Sequence, residues 1–448
     1  MTTITPRTFK GTRDFLPEEM IFREEIIDKL KKVFTKYGFE PLETPSIEYL
    51  DILTGKYGPE SDKLIYKLAY KGGEELALRY DLTVPLCRVI AMNPNISKPF
   101  KRYQIQPVWR AEKPQLHQGR FREFYQCDAD TVGSDSILVD AEFIILTDEI
   151  LKELGFKNYK IKINNRKILR GIIEFLGINP ELEATFLRSL DKLDKIGMEG
   201  VNEELIGKGF SKEIINKINE ILNISLEKNS NDVINILNKK IYSVPSFTEG
   251  LNEIEALFNY LEMTDIDKNS YKFDLYLARG LDYYTGIIYE SITDDLPHLG
   301  SLTGGGRYDN LIGTFLGRDI PASGTTIGLD RIFTAMRQLN LLPNEKTRTQ
   351  VMICLFGKEY IKNSIELASM LRKEGFNTEI YFECDKLNKQ FSYADKKGIP
   401  LVIVEGPDEI KEGKITLKNM SDRTQIKVDK SKLVETINSF IFEKFKTI

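Results

Sequence analysis

The sequence is poor in cysteine and histidine. Its 448 residues include four cysteines, none of them in a CxxC pair, and two histidines. So few cysteines argue against the disulfide framework that is typical of a small secreted protein. A structural zinc site needs a cluster of Cys and His ligands, which this chain lacks. The composition therefore predicts a cytoplasmic protein, in a reducing compartment, with no metal site built from protein ligands alone.

Long hydrophobic runs and a strong net charge are also missing. No apolar stretch approaches the ~18 residues of a membrane span, and Met1–Phe9 has no apolar segment of the kind found in secretory signals. The formal net charge of −4 does not suggest a nucleic-acid-binding protein, although the slightly basic residues 351–448 permit a polyanionic partner locally. A hydrophobic content of 41% is enough for sizeable cores, and the length predicts about three domains.

The first part of the chain mixes strands with separate helices. An apolar stripe predicts a helix from about Glu18 to Tyr37, and Pro41 and Pro45 then favour an extended edge strand over 39–47. Two hairpins follow, with strands at 64–70 and 75–80 and at 101–110 and 121–131, before a helix at 136–154. This pattern predicts an α+β core built on an antiparallel sheet.

The rest of the chain divides into three stretches. Residues 167–265 have helical spacing and predict a helical insertion, after which strand patterns return at 272–277 and 286–291. The glycine-rich run 303–306 predicts a loop, and 329–339 a helix. Beyond a polar linker, strands at 351–355, 378–382 and 401–404 alternate with helices at 359–373 and 386–397, which predicts a small α/β domain with a largely parallel sheet.

Two stretches carry arginines suited to an anionic ligand. In Trp109–Glu112 and the following loop to Gln126, a guanidinium fork such as that of Arg110 suits a phosphate or carboxylate. A solvated charged hairpin is the alternative. In Gly324–Arg331 the cation of Arg331 lies in the first turn of a helix, where the helix dipole disfavours it unless an anion is near. That anion is either a ligand or a neighbouring acidic side chain.

Two further stretches combine glycine, tyrosine and arginine. Leu277–Gly286 places an arginine, an acid and two adjacent tyrosines between apolar strands, either as polar groups for a ligand or as core aromatics at a turn. Gly304–Asp309 has three adjacent glycines, which allow close approach of a ligand to the backbone but also occur in ordinary loops.

Acidic residues complete a possible pocket. Asp81 and Thr83 follow a predicted strand, and Gln126 and Asp130 share one side of another because even separations face the same way. Together these residues would offer carboxylates to a cationic ligand and arginines to an anionic one. The chain has no GxxxxGK[ST] loop and no serine–histidine–acid pattern, so a bound nucleotide would be held by arginines on a sheet.

Taken in chain order, these stretches resemble the class II aminoacyl-tRNA synthetases, and among them the histidyl-tRNA synthetase family. Residues 18–47, 109–125 and 324–331 are similar to the three motifs of the class. Arg279–Tyr284 and Gly304–Asp309 are similar to the two histidine-specific motifs. The resemblance covers essentially the whole chain, with five motifs in the expected order.

The resemblance implies roles for individual residues. Arg110 and Arg279 would be catalytic, and ATP would be bound by Arg110, Glu112, Arg120 and Arg331. The histidine-binding residues would be Asp81, Thr83, Arg110, Gln126, Asp130, Arg279, Tyr283, Tyr284 and Tyr308. Among these, Asp81, Thr83 and Gln126 would bind the α-amino group, and Asp130 and Tyr284 would read the imidazole. Aspartate at positions 81 and 130 follows the archaeal and eukaryotic pattern, whereas the common bacterial pattern has glutamate.

The resemblance also implies an architecture and a reaction. Residues 1–166 and 266–338 would form the class II catalytic core, 167–265 a helical insertion, and 349–448 an α/β anticodon-binding domain. L-histidine would be activated by ATP with Mg²⁺ to histidyl-adenylate and pyrophosphate, and then transferred to the 3′ end of tRNA(His). The enzyme would be a cytoplasmic homodimer with no membrane contact.

Two other functions share parts of this pattern. One is a non-catalytic, histidine-sensing regulatory subunit of ATP phosphoribosyltransferase; such chains typically lack the C-terminal domain and degrade the ATP and tRNA motifs. The presence of Arg110, Arg279 and Arg331 and of a whole domain at 350–448 argues against it. The other is a tRNA-sensing module of a larger kinase, but the chain has no kinase motif.

Overall fold

A computed structural model describes residues 4–57, 62–226, 230–278, 283–343 and 345–445. The chain divides into two compact units, one of residues 1–14 and 25–341 and the other of residues 15–24 and 342–448. None of the described helices is both long and apolar enough to cross a membrane.

The described strands belong to three sheets. They are β1 (Glu40–Pro41), β2 (Ile47–Tyr49), β3 (Lys67–Leu68), β4 (Leu76–Leu78), β5 (Phe100–Trp109), β6 (Glu123–Val132), β7 (Tyr159–Asn165), β8 (Tyr271–Phe273), β9 (Ile287–Thr293), β10 (Thr303–Arg307), β11 (Ala322–Gly328), β12 (Val351–Ile353), β13 (Thr378–Ile380), β14 (Leu401–Val404), β15 (Lys414–Asn419) and β16 (Gln425–Asp429).

The described helices are distributed along the whole chain. They are α1 (Pro17–Lys36), α2 (Leu50–Leu53), α3 (Thr83–Met92), α4 (Ile137–Glu153), α5 (Arg166–Phe175), α6 (Glu183–Leu190), α7 (Leu193–Gly207), α8 (Lys212–Leu226), α9 (Ser230–Ile241), α10 (Pro245–Glu262), α11 (Gly313–Leu316), α12 (Leu329–Gln338), α13 (Ile361–Lys373), α14 (Leu387–Lys397), α15 (Pro407–Glu412) and α16 (Leu433–Phe445).

An eight-stranded sheet forms the centre of the first unit. Its order is β1-β5-β6-β11-β10-β9-β7-β8, antiparallel except for a parallel pair at each edge, β1 with β5 and β7 with β8. The predicted long hairpin is confirmed: β5 and β6 pair over ten residues, from Phe100 opposite Val132 to Trp109 opposite Glu123. Pro41 lies on edge strand β1, where its missing N–H costs no ladder hydrogen bond. The α+β prediction for this part of the chain is therefore correct.

The prediction of a glycine-rich loop at 303–306 is wrong. These residues form β10, a central strand that pairs with β9 on one side and β11 on the other. A Cβ atom at Gly305 would lie 2.2 Å from the Gly324 carbonyl oxygen and 2.5 Å from the Tyr289 hydroxyl. Gly305 therefore serves close packing within the sheet, as does Gly306, whereas a sequence pattern alone relates glycines to turns.

The region predicted as an insertion begins and ends with helices that pack together. Helix α5 packs against α10, and α10 also contacts α4 and β7 of the sheet. Helices α6–α9 lie between them in the chain, as a helical set with its own buried residues.

The predicted short hairpin at 64–80 is shorter than expected, with β3 and β4 joining β2 in a separate three-stranded sheet.

The second unit contains a five-stranded sheet in the order β13-β12-β14-β15-β16. Its first three strands are parallel, as predicted, and helices α13 and α14 connect them. The antiparallel strands β15 and β16 were not predicted. Buried Val351, Ile353, Leu401 and Ile403 form the centre of its apolar core.

Candidate active site

A cavity of about 500 Å³ lies in the first unit against the central sheet. It collects residues from the loop after β4, the β5–β6 hairpin, strands β9 to β11 and the start of α12. The predicted site residues that line it are Asp81, Thr83, Arg110, Glu112, Arg120, Gln126, Tyr283, Tyr284 and Arg331. Asp130 and Tyr308 are buried and are not among the residues that line it. Arg279 lies outside the described residues.

Arg110 is fixed at the end of β5. Its Nε donates to the Tyr80 carbonyl oxygen (3.1 Å), and its guanidinium lies 4.4 Å from the centre of the Tyr80 ring and 5.2 Å from that of Phe124. Aromatic faces stabilise a cation without neutralising it. Arg110 is therefore held in one orientation while its charge remains available to an anionic ligand in the cavity.

Asp81 supplies a negatively charged group to the cavity lining. Its Oδ1 accepts hydrogen bonds from the Tyr57 hydroxyl (2.9 Å) and the Val84 N–H (3.1 Å), which anchor it at the start of α3. Its Oδ2 is buried and has no hydrogen-bond partner among the described residues. Burial raises the pKa of Asp81, partly offset by these hydrogen bonds. An ammonium group from a ligand would satisfy Oδ2.

Polar residues alternate along one face of β6. Gln126 reaches the cavity, and its Nε2 donates to Asp128 Oδ1 (3.3 Å). Asp130, two residues on, pairs with the fully buried Arg102 at 2.8 Å and accepts a hydrogen bond from the Tyr308 hydroxyl. The sequence correctly placed Gln126 and Asp130 on one side of a strand, but the structure puts them at different depths.

Several buried polar atoms in this layer lack partners among the described residues. They are Arg102 Nε and Nη1, Asp128 Oδ2 and Gln126 Oε1. Burial raises the pKa of Asp128 to about 7, although Arg102 acts in the opposite direction. Buried polar groups are normally hydrogen-bonded, so a layer with this many unpaired atoms fits a ligand that brings its own donors and acceptors.

Three tyrosine rings pack together beside the cavity, and two of them, Tyr283 and Tyr284, line it. The ring centres of Tyr283 and Tyr284 are 5.0 Å apart, and that of Tyr308 lies 5.8 Å from Tyr283. Burial raises the pKa of each hydroxyl, so all three remain neutral hydrogen-bonding groups at physiological pH. The rings of Tyr283 and Tyr284 pack on one another, as core aromatics do, and both residues also line the cavity, where a ligand could reach them.

The opposite part of the cavity carries Arg120 and Arg331. Arg120 Nε is buried without a hydrogen-bond partner in the described structure. Arg331, in the first turn of α12, donates to the Ser301 carbonyl oxygen. Its neighbour Asp330 is already paired with Arg13 (2.8 Å) and accepts from the Tyr125 N–H (2.9 Å). The two arginines thus give this side of the cavity positive charge, with Glu112 nearby in the lining.

Sequence reasoning missed four residues of the site. Asp128 shares the period of Gln126 and Asp130, so strand alternation would have found it. Arg102 lies directly opposite Asp130 in the β5–β6 register. Unlike Asp128 and Arg102, Glu290 and Asp191 line the cavity itself, but no sequence signal brings a residue at the end of α6 to this sheet.

The arginine of the Gly304–Asp309 stretch lies elsewhere. Arg307 is buried and binds Asp140 of α4 through Nε (3.0 Å) and Nη2, and it is not part of the cavity lining. That stretch therefore contributes glycine backbone to the cavity, and its arginine to packing beneath the sheet.

The cavity as a whole has an acidic end and a basic end. Asp81 and the β6 carboxylates suit a ligand with an ammonium group or a ring with N–H donors, whereas Arg110, Arg120 and Arg331 suit carboxylate and phosphate groups. An amino acid and a nucleoside triphosphate bound side by side would satisfy both ends. Fixed arginines could then stabilise negative charge that develops where the two ligands meet.

Comparisons with known proteins agree with this chemistry. A family model described as histidyl-tRNA synthetase matches residues 11–332, and one described as an anticodon binding domain matches residues 350–440. A histidine–tRNA ligase from Gloeobacter violaceus is 44% identical, over 94% of this chain and 96% of that protein.

Solved structures show the same fold. A histidyl-tRNA synthetase from Nostoc sp. PCC 7120 is 33% identical, covers 98% of this chain and 100% of that one, and has a TM-score of 0.86. A Bacillus halodurans protein titled as an ATP phosphoribosyltransferase regulatory subunit/histidyl-tRNA synthetase is 24% identical with a TM-score of 0.73, over 87% of this chain and 97% of that one. At that identity the second likeness concerns the fold alone.

Proposed function

This chain belongs to the histidyl-tRNA synthetase family, and we propose that the cavity on its central sheet is the place where histidine is activated. The chain is a histidine–tRNA ligase. It joins L-histidine to ATP, giving histidyl-adenylate and pyrophosphate, and then transfers histidine to the 3′ end of tRNA. The regulatory-subunit alternative is disfavoured by 44% identity to a ligase over nearly the whole chain.

The proposed site rests on one observation. A single cavity combines carboxylates that have oxygens without hydrogen-bond partners in the described structure with arginines held in fixed orientations. We assign the α-ammonium group of histidine to Asp81, Thr83 and Gln126. We assign the imidazole to Tyr284 at the surface, with Asp130, held by Arg102 and Tyr308, as the charge beneath it. An amino acid without ring N–H groups would bury these polar groups without making hydrogen bonds to them, which is a strong basis for discrimination.

ATP is assigned to the basic end, with Arg110, Glu112, Arg120 and Arg331. The carboxylate of histidine attacks the α-phosphorus and pyrophosphate leaves, so the reaction needs no protein base. Arg110 and Arg279 are proposed to hold the carboxylate and the α-phosphate in line and to stabilise the charge on the phosphoryl oxygens. Tyr283 and Tyr308 are proposed to shape the histidine pocket.

Mg²⁺ is proposed to accompany ATP. No three Cys, His, Asp or Glu side chains converge as a metal-binding group in the described part of the chain. The cavity does contain the carboxylates Glu112 and Glu290, which fit a hard cation held mainly by phosphate oxygens. Bound there, Mg²⁺ would neutralise charge on the leaving pyrophosphate.

The partners follow from the same assignment. We infer that tRNA(His) is the acceptor and that residues 349–448 bind its anticodon, consistent with the family match over 350–440. A cytoplasmic homodimer is part of the proposal. The domain boundaries at 166, 265 and 338 remain predictions, as does the archaeal and eukaryotic pattern of Asp81 and Asp130.

Amino-acid-dependent ATP–pyrophosphate exchange tests the proposal. Purified protein should catalyse exchange with histidine and with no other amino acid, and Arg279→Ala should lower the rate by roughly 10²–10³-fold with the fold intact, as for loss of a group that stabilises transition-state charge. Exchange by Arg279→Ala at the parent rate would remove it from the mechanism. Histidine binding without any exchange by the parent would instead support a sensor.

A further inference from the structure

A buried tyrosine lies behind the cavity without being part of its lining. Tyr57 is 2% exposed and belongs to an apolar core with Leu53, Ile65 and Val84. Phenylalanine would fill the same volume in that core, and a buried hydroxyl is costly unless it is hydrogen-bonded. The contacts of the hydroxyl and of the ring therefore show what a tyrosine provides at this position.

The Tyr57 hydroxyl holds the Asp81 carboxylate in one orientation. It donates to Asp81 Oδ1 at 2.9 Å, and the Val84 N–H donates to the same oxygen at 3.1 Å. Both bonds use Oδ1, whereas Oδ2 is buried with no hydrogen-bond partner within the described ranges. The bound oxygen thus fixes the carboxylate, and the other oxygen is left for a ligand.

The same hydrogen bond favours the charged form of Asp81. Burial raises the pKa of this carboxyl group, and the charge of Asp130 acts in the same direction. The hydrogen bonds from Val84 and Tyr57 and the positive charge of Arg110 lower the pKa. Loss of the Tyr57 hydroxyl would therefore favour the neutral acid, which attracts an ammonium group less strongly than a carboxylate does.

The ring of Tyr57 supports the arginine of the cavity. Its centre lies 4.8 Å from that of the Tyr80 ring. The other contact of the Tyr80 ring is with the Arg110 guanidinium, at 4.4 Å, and the Tyr80 carbonyl oxygen accepts from Arg110 Nε at 3.1 Å. Tyr57, Tyr80 and Arg110 therefore form a continuous stack that leads from the apolar core to the cavity.

Backbone hydrogen bonds fix the frame around this stack. The Trp109 N–H donates to the Arg79 carbonyl oxygen (3.1 Å), and the Ala111 N–H donates to the Leu64 carbonyl oxygen (2.9 Å). The residues on both sides of Arg110 are thus attached to the segments that carry Tyr80 and follow Tyr57. Because main-chain groups make these bonds, a substitution of the Tyr57 side chain leaves them in place.

We propose that Tyr57 is a positioning residue for adenylate formation. Its hydroxyl holds Asp81 for the α-ammonium group of histidine, and its ring holds Arg110, through Tyr80, for the carboxylate and the α-phosphate. The inference rests on the proposed binding of histidine and ATP in this cavity. One buried side chain then orients both ends of the site, and exact orientation of the reacting groups accounts for much of the rate of such reactions.

Tyr57→Phe tests the hydroxyl, because it keeps the ring. In histidine-dependent ATP–pyrophosphate exchange, KM for histidine should rise about tenfold, the size expected for loss of a hydrogen bond to a charged group. The kcat and KM for ATP should stay near the parent values. Tyr159→Phe is the matched control: Tyr159 is also buried and donates to a buried carboxylate oxygen, Asp148 Oδ1, at 2.6 Å, away from the cavity lining. It should leave KM for histidine unchanged.

An analogue of histidine without the α-amino group, 3-(imidazol-4-yl)propionate, identifies the contact. In calorimetric titration, Tyr57→Phe should weaken the binding of histidine about tenfold and that of the analogue by less than about twofold, since the analogue has no ammonium group for Asp81. Equal weakening for both ligands would overturn the assignment of the hydroxyl. Equal affinity of the parent for both ligands would instead contradict the proposed role of Asp81.

Tyr57→Leu tests the ring. Relative to Tyr57→Phe, kcat should fall about tenfold because Arg110 loses its support, while KM for histidine should rise no further. Tyr80→Leu removes the next ring of the stack and should lower kcat in the same way, and thermal unfolding checks that each variant is folded. Equal kcat values in Tyr57→Leu, Tyr80→Leu and Tyr57→Phe would overturn the role of the ring. Parent kinetics in every variant would overturn the whole inference, while exchange by the parent enzyme would show that the proposed activity itself stands.

Discussion

Two buried arginines of the first unit have very different surroundings. We call Arg307, Asp140 and Ser323 the closed cluster: Arg307 binds Asp140 and the carbonyl oxygens of Ser134 (3.3 Å) and Ser136 (2.9 Å), and Ser323 donates to the second oxygen of Asp140 (2.8 Å). No side-chain atom of the three is left buried and unpaired within the described structure. The cluster is complete without a ligand.

The second group is incomplete. We call Arg102, Asp81, Gln126, Asp128 and Asp130 the open cluster; it lies against the cavity, and each member except Asp130, whose carboxylate has the ion pair with Arg102, leaves at least one side-chain atom unmatched within the described residues. Both clusters bury an arginine with an acid. The difference teaches that burial of charge does not mark a binding site, whereas unsatisfied polar atoms beside a cavity do.

The largest expected effect, on the free energy of unfolding, comes from a substitution that breaks the closed cluster. Arg307→Met leaves Asp140 buried without its cation, and the free energy of unfolding should fall by about 3–5 kcal/mol. Urea denaturation measures this loss. The double variant Arg307→Met/Asp140→Leu should recover much of it, since both charges are then removed. A single variant as stable as the parent would contradict the description of this pair as a structural one.

Breaking the open cluster should cost less stability and more function. Arg102→Met should lower the free energy of unfolding by only about 2 kcal/mol, because the guanidinium that it removes has buried N–H groups without partners, at Nε and Nη1, whereas Arg307 has none within the described residues. In Arg102→Met, KM for histidine in the exchange assay should rise at least tenfold. In Arg307→Met, KM for histidine should change little. Similar KM values in the two variants would erase the distinction between the clusters.

Glycines beside the two clusters provide a finer test. A Cβ atom at Gly324 would lie 2.0 Å from Asp130 Oδ1, whereas one at Gly286 would lie 3.0 Å from the Arg307 side chain. Gly324→Ala should therefore cost about 1–3 kcal/mol of stability by overpacking and weaken histidine binding. Gly286→Ala should have the smaller effect in both thermal unfolding and calorimetric titration. The reverse order would show that the open cluster can shift to make room.

The smallest expected effect is the release of a fraction of a proton when histidine binds. Burial raises the pKa of Asp128 to about 7 from 3.8, so its contribution to stability is complete below pH 3.8 and is lost as pH rises through about 7. A bound ammonium group favours the charged carboxylate, and histidine should release part of a proton at pH 7. Calorimetry in two buffers of different ionisation enthalpy measures this release.

Asp128→Asn is the control for that experiment. It should reduce the release, and the difference between the parent and the variant cancels the titration of histidine itself. A difference that shows proton uptake by the parent relative to the variant would contradict the assignment of a cationic group to this layer. A matched Asp140→Asn variant should leave the release unchanged, because the closed cluster does not touch the cavity.

Much of the fold could be predicted because local patterns carry it. The helix expected at Glu18–Tyr37 is found at Pro17–Lys36, and the β5–β6 hairpin and the parallel strands of the second unit lie where the apolar periods place them. Strands β15 and β16 were missed, since β16 is largely exposed and lacks a clear apolar alternation. The glycine run was misread because its cause, close packing across three strands, is not local.

The sequence by itself determined which chemical groups the site contains: arginine forks, carboxylates and tyrosines, in an order that identifies the family. It also determined strand parity, which put Gln126 and Asp130 on one face. Only the tertiary structure decided how deeply each side chain is buried and which side chains it pairs with. Strand register pairs Arg102 with Asp130, and the packing of helix α4 on β10 and β11 brings Asp140 to Arg307. Within the described residues, the neighbours in space satisfy the polar atoms of one set and leave buried atoms of the other unpaired, where desolvation is costly. Hydrogen-bond satisfaction depends on all neighbours in space, and most of those neighbours are distant in the chain.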